Sequence, residues 1–158
     1  MTDTLHLLDA ALALSREAGV LLREGAGRVH AAASKATATD LVTDYDTAAE
    51  ALIIKGLRAR FPDHAILAEE GGAGAGGAGT ARWLVDPLDG TVNFAHGLPF
   101  FCVSMACQVD GEVQVGVIHA PVLGMTFTAR RGAGATRDGA TLHVSETAEL
   151  SRALLATG

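Results

Sequence analysis

Aromatic side chains are scarce, with one Trp, one Tyr and five Phe in 158 residues. A core made by this chain must therefore rest on Leu, Val, Ile and Ala. Cysteine is scarcer still. Cys102 and Cys107 lie five apart in a candidate strand, which puts them on opposite faces and excludes a mutual disulfide. Two buried free thiols are the expectation, as in a reducing cytoplasm. The six histidines show no His-x-x-x-His spacing and no Cys-x-x-Cys accompanies them, which argues against zinc. There is no Lys/Arg cluster and the net charge is -6, so no nucleic-acid partner is expected. Neither an apolar run of about 18 residues nor a basic–apolar–small leader is present, so no membrane partner is expected and the location is read as cytoplasmic.

What the chain does have is alanine and glycine in quantity, 19 of the latter, in an ordinary globular composition. Its length suits one domain with a real core. Leu5, Leu8, Leu12, Ala18 and Leu22 recur at helical spacing and predict a helix over residues 5–23, stopped by Gly25 and Gly27. A short strand is predicted over 29–33. A second helix presents Ala49, Leu52, Ile53 and Leu57 on one side, with Thr43 as N-cap, Asp46 at the third helical position, and Phe61-Pro62 at its end. Residues 64–68 read as a buried strand ending in Glu69-Glu70. From Gly71 to Gly79 only Gly and Ala occur, six Gly in nine, and this tract reads as a mobile surface loop. It lacks the Gly-Lys-Ser/Thr ending of a P-loop. Further strands are predicted over 82–85, 101–109, 112–119, 125–129 and 141–144, with Asp110-Gly111 as a hairpin turn. Residues 150–156 are read as a last strand in preference to a short helix. Two helices followed by mostly antiparallel strands make an α+β fold, with the helices packed on one face of the sheet.

The chemistry concentrates in Trp83-Leu84-Val85-Asp86-Pro87-Leu88-Asp89-Gly90-Thr91-Val92-Asn93-Phe94. An apolar run ends in a carboxylate, turns at Pro87, and presents a second carboxylate three residues on. Convergent oxygen ligands on a rigid support suit a hard divalent cation. Amides freed after Gly90 suit a phosphate. A plain surface turn is the other reading, since Asp-Pro and Asp-Gly pairs are common turn formers. Asp46 at a helix start and Glu69-Glu70 after a strand bring further acids to element ends.

With Ala68-Glu69-Glu70 before it, the run Asp86-Pro87-Leu88-Asp89-Gly90-Thr91-Val92-Asn93-Phe94 resembles the signature of the inositol monophosphatase family of Mg2+-dependent phosphatases. The likeness extends to residues 35–46, to Gly97-Leu98-Pro99-Phe100 with Val103-Ser104, and to residues 128–135 with Asp138-Gly139 and Val144-Ser145. It implies a phosphomonoesterase that hydrolyses inositol monophosphate with metal-activated water. It also implies two or three Mg2+ ions held by Glu69, Asp86, the carbonyl of Leu88, and Asp89. Asp46 and Thr91 would orient and activate the water, with Glu70 assisting. Asp89 and the amides of Gly90 and Thr91 would bind the substrate, a small phosphorylated polyol. A homodimer is possible by the same likeness.

One departure is large. The family's second signature, Trp-Asp followed by small residues, is absent, because Trp83 is the only tryptophan and it precedes Pro87. Residues 1–158 are therefore expected to form the N-terminal metal-binding domain of a longer enzyme. Two alternatives stay open. The chain could be a non-catalytic metal-binding or interaction module, since some bacterial relatives partner the transcription machinery. It could instead act on another small monoester, such as histidinol phosphate or fructose bisphosphate.

Overall fold

A computed structural model describes residues 3–26, 44–69, 72–73 and 80–155. Helix α1 (Thr4–Gly25) starts where the side chain of Asp3 accepts from the amides of Leu5 (3.0 Å) and His6 (3.3 Å). Such a cap contributes about 1 kcal/mol. Its buried stripe is Leu7, Ala10, Ala11, Leu14, Ser15, Ala18 and Leu22. The predicted stripe was rotated from this one: Leu5 is exposed, and Leu8 and Leu12 only flank the core. The alanines explain the error. They give less hydrophobic signal than leucine, yet they let the helix approach closely.

Helix α2 (Asp44–Arg60) buries Asp46, Ala49, Glu50, Ile53 and Leu57. Asp46 is its third residue, as predicted, whereas Thr43, the predicted cap, lies outside the described residues, as does the strand predicted over 29–33. Where the two helices meet, Gly56 faces Leu14, and a Cβ there would overlap Leu14 Cδ2. Ala in place of Gly gains about 1 kcal/mol of helix propensity. Displacing a fully buried Leu costs more, typically about 1–3 kcal/mol. Gly56→Ala is therefore expected to lower the Tm by about 2–4 °C. In a Leu14→Ala background the same change should raise it. Paired thermal melts check the reversal of sign.

Among the described residues eight strands form one sheet: β1 (Ala65–Ala68), β2 (Gly72–Ala73), β3 (Ala81–Asp89), β4 (Cys102–Val109), β5 (Glu112–Ala120), β6 (Met125–Arg130), β7 (Gly134–Arg137) and β8 (Ala140–Thr141). Their order is β2-β1-β3-β4-β5-β6-β7-β8. Only β1 and β3 pair in parallel. The α+β arrangement predicted from the sequence holds: α1 lies over β4 and β5, and α2 over β3. Asp110 and Gly111, both at positive φ (53 and 81), make the expected hairpin. In β4, Val103, Met105 and Cys107 face the helices and are buried, while Cys102 lies on the other face and is half-buried. Opposite facing was predicted; burial of both thiols was not observed.

The remaining differences are local. Gly72–Ala73 pairs with β1 where only a loop was expected, since paired backbone needs no side chain; residues 71 and 74–79 lie outside the described residues. Strand β7 was missed because Gly134 and polar residues hide its alternation. Strand β8 ends at Thr141, short of the predicted Val144. Leu150–Arg152 is a 3-10 turn and not a strand; Leu150 is exposed, and among the described residues no strand pairs with it. Trp83 is fully buried, and its Nε1 donates to Nδ1 of His64 (3.1 Å), whose ring stacks on Phe61. That histidine is a packing and hydrogen-bonding partner of the core.

Candidate active site

Strand β3 was expected to stop at Val85 and turn at Pro87. It runs on to Asp89 instead, and its pairing with β4 shifts between Asp86, opposite Ser104, and Asp89, opposite Cys102. Three residues of β3 thus match two of β4, which is a bulge. Proline is accepted there because it has no N–H to give a ladder. The Leu88 amide donates instead to Asp86 Oδ1 (3.1 Å). Past the bulge, Gly90 takes a left-handed conformation (φ 91) and starts the short helix α3 (Thr91–Ala95). The Thr91 hydroxyl donates back to the Leu88 carbonyl (3.0 Å), and Asn93 Nδ2 donates to the Phe100 carbonyl (2.7 Å). Tyr45 of α2 meets Phe94 of α3 edge to face, which sets the start of α2 beside this turn.

Glu69 follows β1 and stands exposed, and Asp86 lies half-buried on β3. Both line an open cleft of about 570 Å³ on the face of the sheet away from α1 and α2, together with Leu67, Leu84, Ser104 and Ala106. Burial pushes the Asp86 carboxyl up to about 7, and the charges of Glu69 and Asp89 push the same way against the Leu88 hydrogen bond. Leu88 itself is buried, and Asp89 is exposed with its Oδ2 3.6 Å from the Cys102 thiol. Burial and the same aspartate drive that thiol up to about 12. Asp46 is 3 % exposed in the first turn of α2. Glu70 lies outside the described residues.

Asp86, Leu88, Asp89, Gly90 and Thr91 are thus held on one bulge and turn, with Glu69 in electrostatic reach. The carboxylates do not form a finished ligand set: among the described residues, no three His, Cys, Asp or Glu side chains converge enough to hold an ion. Glu69 arrives from the β1 side of β3 while Asp89 is opposite β4. Sequence reasoning missed Cys102, which it treated only as a thiol, and Glu50, buried one turn after Asp46. The i, i+4 spacing of Asp46 and Glu50 on the apolar face of α2 was the available signal for the latter.

A model of the inositol monophosphatase family matches residues 3–158. The chain belongs to the inositol monophosphatase family. A Thermotoga maritima protein named fructose-1,6-bisphosphatase/inositol-1-monophosphatase is 42% identical over 151 residues, covering 96% of this chain and 58% of that one. The Nus factor SuhB of Pseudomonas aeruginosa is 43% identical over 155 residues, covering 96% and 57%. Among solved structures, the IMPase of Thermotoga maritima superposes with a TM-score of 0.83 at 43% identity, over 90% of this chain and 55% of that one. An inositol monophosphatase from Anabaena gives 0.80 at 39% identity, over 95% and 54%. The chain thus spans a little over half the length of these relatives. With Nus factors so similar, the expectation of no nucleic-acid partner is not supported: a net charge of -6 speaks only to the average surface. Among the described residues, no helix is long and apolar enough to cross a membrane.

Proposed function

We propose that this member of the family is a Mg2+-dependent phosphomonoesterase that hydrolyses a small phosphorylated polyol, with inositol monophosphate the first candidate. The observation that carries the reading is Asp86, half-buried at the cleft beside Glu69 and within reach of Asp89, where burial first and then those two charges push its carboxyl up to about 7. A hard cation relieves that repulsion, and the donors are all oxygen. Glu69, Asp86, the Leu88 carbonyl and Asp89 would hold two or three Mg2+ ions. Bound cations supply positive charge at the phosphate oxygens and acidify water.

The chain's own groups supply the rest. The Thr91 hydroxyl donates its hydrogen bond to the Leu88 carbonyl, so its oxygen lone pairs remain to orient a water. The carboxylate of Asp46, buried at the start of α2, would serve as the base that takes a proton from that water, with Glu70 assisting. Gly90 turns the backbone so that it and Thr91 offer amides to the phosphate, with Asp89 facing the substrate. Phosphoryl transfer asks for this kind of positioning and charge neutralisation more than for a covalent nucleophile.

The relatives' names bring inositol 1-phosphate and fructose 1,6-bisphosphate as substrates to assay, with histidinol phosphate as a third. The test is phosphate release from each with and without Mg2+, with Asp89→Asn as the blank. Mg2+ binding is titrated alongside, because the likeness puts one further ligand in a Trp-Asp motif that these 158 residues do not contain. Release that needs both Mg2+ and Asp89 supports the reading, and turnover by the 158 residues alone is expected to be a trace. A protein that neither binds Mg2+ nor releases phosphate overturns it. The Nus factor relatives favour a second reading, an interaction role, to which Mg2+ binding without turnover on any of the three would point.

A further inference from the structure

We infer that Cys102 is a positioning residue for Asp89, its thiol fixing one carboxylate oxygen so that the other faces the cation site. The inference rests on the metal-dependent reading above. Across the bulge, Cys102 is the register partner of Asp89, and cross-strand partners present their side chains on one face of a sheet. The thiol donates to Asp89 Oδ2 at 3.6 Å. It is the side-chain hydrogen bond that Asp89 makes among the described residues. Asp89 sits exposed at the end of β3, and this hydrogen bond fixes which way its carboxylate is turned. Hydrogen bonds to the far side of a ligand group set its orientation, and their loss typically weakens metal binding about 10–100-fold. A thiol is a weak donor, so the loss here is set at about three- to tenfold.

A packing role and a hydrogen-bonding role rank substitutions differently. Packing against the neighbouring apolar side chains Ile118, Met125 and Phe127 would favour Ala or Val over Ser. Donation to Asp89 favours Ser over both.

The experiment titrates Mn2+ into wild type, Cys102→Ser, Cys102→Ala, Cys102→Val and Asp89→Asn, reading free Mn2+ by electron paramagnetic resonance, with a thermal melt of each. The expected affinity order is wild type, then Ser, then Ala and Val together, with Ser recovering at least half of the loss on a logarithmic scale. Melting temperatures should not follow that order. Ala and Val within twofold of wild type, or Ser no better than Ala, overturns the assignment while Asp89→Asn still weakens binding and leaves the metal reading intact. Wild type that fails to bind Mn2+ overturns both.

Discussion

Asp86→Asn is expected to weaken Mg2+ or Mn2+ binding by at least about 100-fold, beyond the loss typical of an indirect partner, and to make the ion-free protein more stable. The two effects have one cause. Burial and the charges of Glu69 and Asp89 raise the folded carboxyl from 3.8 to about 7, so the native state holds this proton more tightly than the unfolded chain does. The sign follows from linkage. Below the unfolded value the group is protonated in both states and carries no penalty. As pH rises from about 4 through 7 the unfolded chain releases its proton first, and stability falls. Above the folded value the penalty is fully present. Asparagine keeps the acceptor for the Leu88 amide and removes the charge. With a discount for a group that is only half-buried, the gain at pH 8 is roughly 1–2 kcal/mol, shrinking toward zero at pH 4. Melts of both proteins in chelator from pH 4 to 8, beside calorimetric titration of Mg2+, measure it. A variant less stable than wild type at pH 8 would refute the repulsion account.

Gly90→Ala, by contrast, is expected to cost roughly 2–4 kcal/mol and to lower the Tm by about 5–15 °C. Two penalties add. The residue sits at φ 91, where an L side chain is strained, and its Cβ would lie 2.8 Å from the Phe100 carbonyl oxygen and 3.2 Å from Phe101 Cα. Both are backbone atoms and cannot rotate away. Gly132 supplies the control: its φ is 74 but open space surrounds it, so Gly132→Ala should show the conformational penalty alone, about 1–2 kcal/mol. If the two melts coincide, close approach at Gly90 contributes nothing. Because Gly90 follows Asp89 directly, the same change should also weaken Mn2+ binding, which the Gly132 variant should leave alone.

Much of this was legible before any coordinates. The period of 3.6 residues over α1 and α2, alternation in β4 and β5, and Asp110-Gly111 between them announced two helices and an antiparallel sheet. What failed had physical reasons. An alanine-rich helix does not say which of two adjacent stripes packs inward, and so Leu5 was placed inside when Leu7 and Leu14 are. Proline at 87 reads as the end of a strand, yet a bulge accommodates it, so β3 carries Asp89 further along than expected. That residues 86–91 lie together could be read from their order, because the turn that joins them is local. That Cys102 lies against Asp89 could not, since register across a bulge is invisible in one strand alone.

The parallel pairing of β1 with β3 has a consequence for how the chain between them can vary. Both strands leave the sheet in the same direction, so Glu69 and Asp86 emerge at one rim; an antiparallel pair would have sent them to opposite rims. The chain must therefore travel back to the starting edge before β3 can begin. A four-residue strand at about 3.3 Å per residue is roughly 13 Å long, which four extended residues can span. Twelve residues, 69–80, make that return here. Its length thus has a floor and no steep ceiling, because doubling a connection adds only about 0.6 kcal/mol of closure entropy. The carboxylates' spacing is set by the ladder and not by the connection, so insertions or deletions between Ala73 and Thr80, past the two residues that pair with β1, leave the two acids in place.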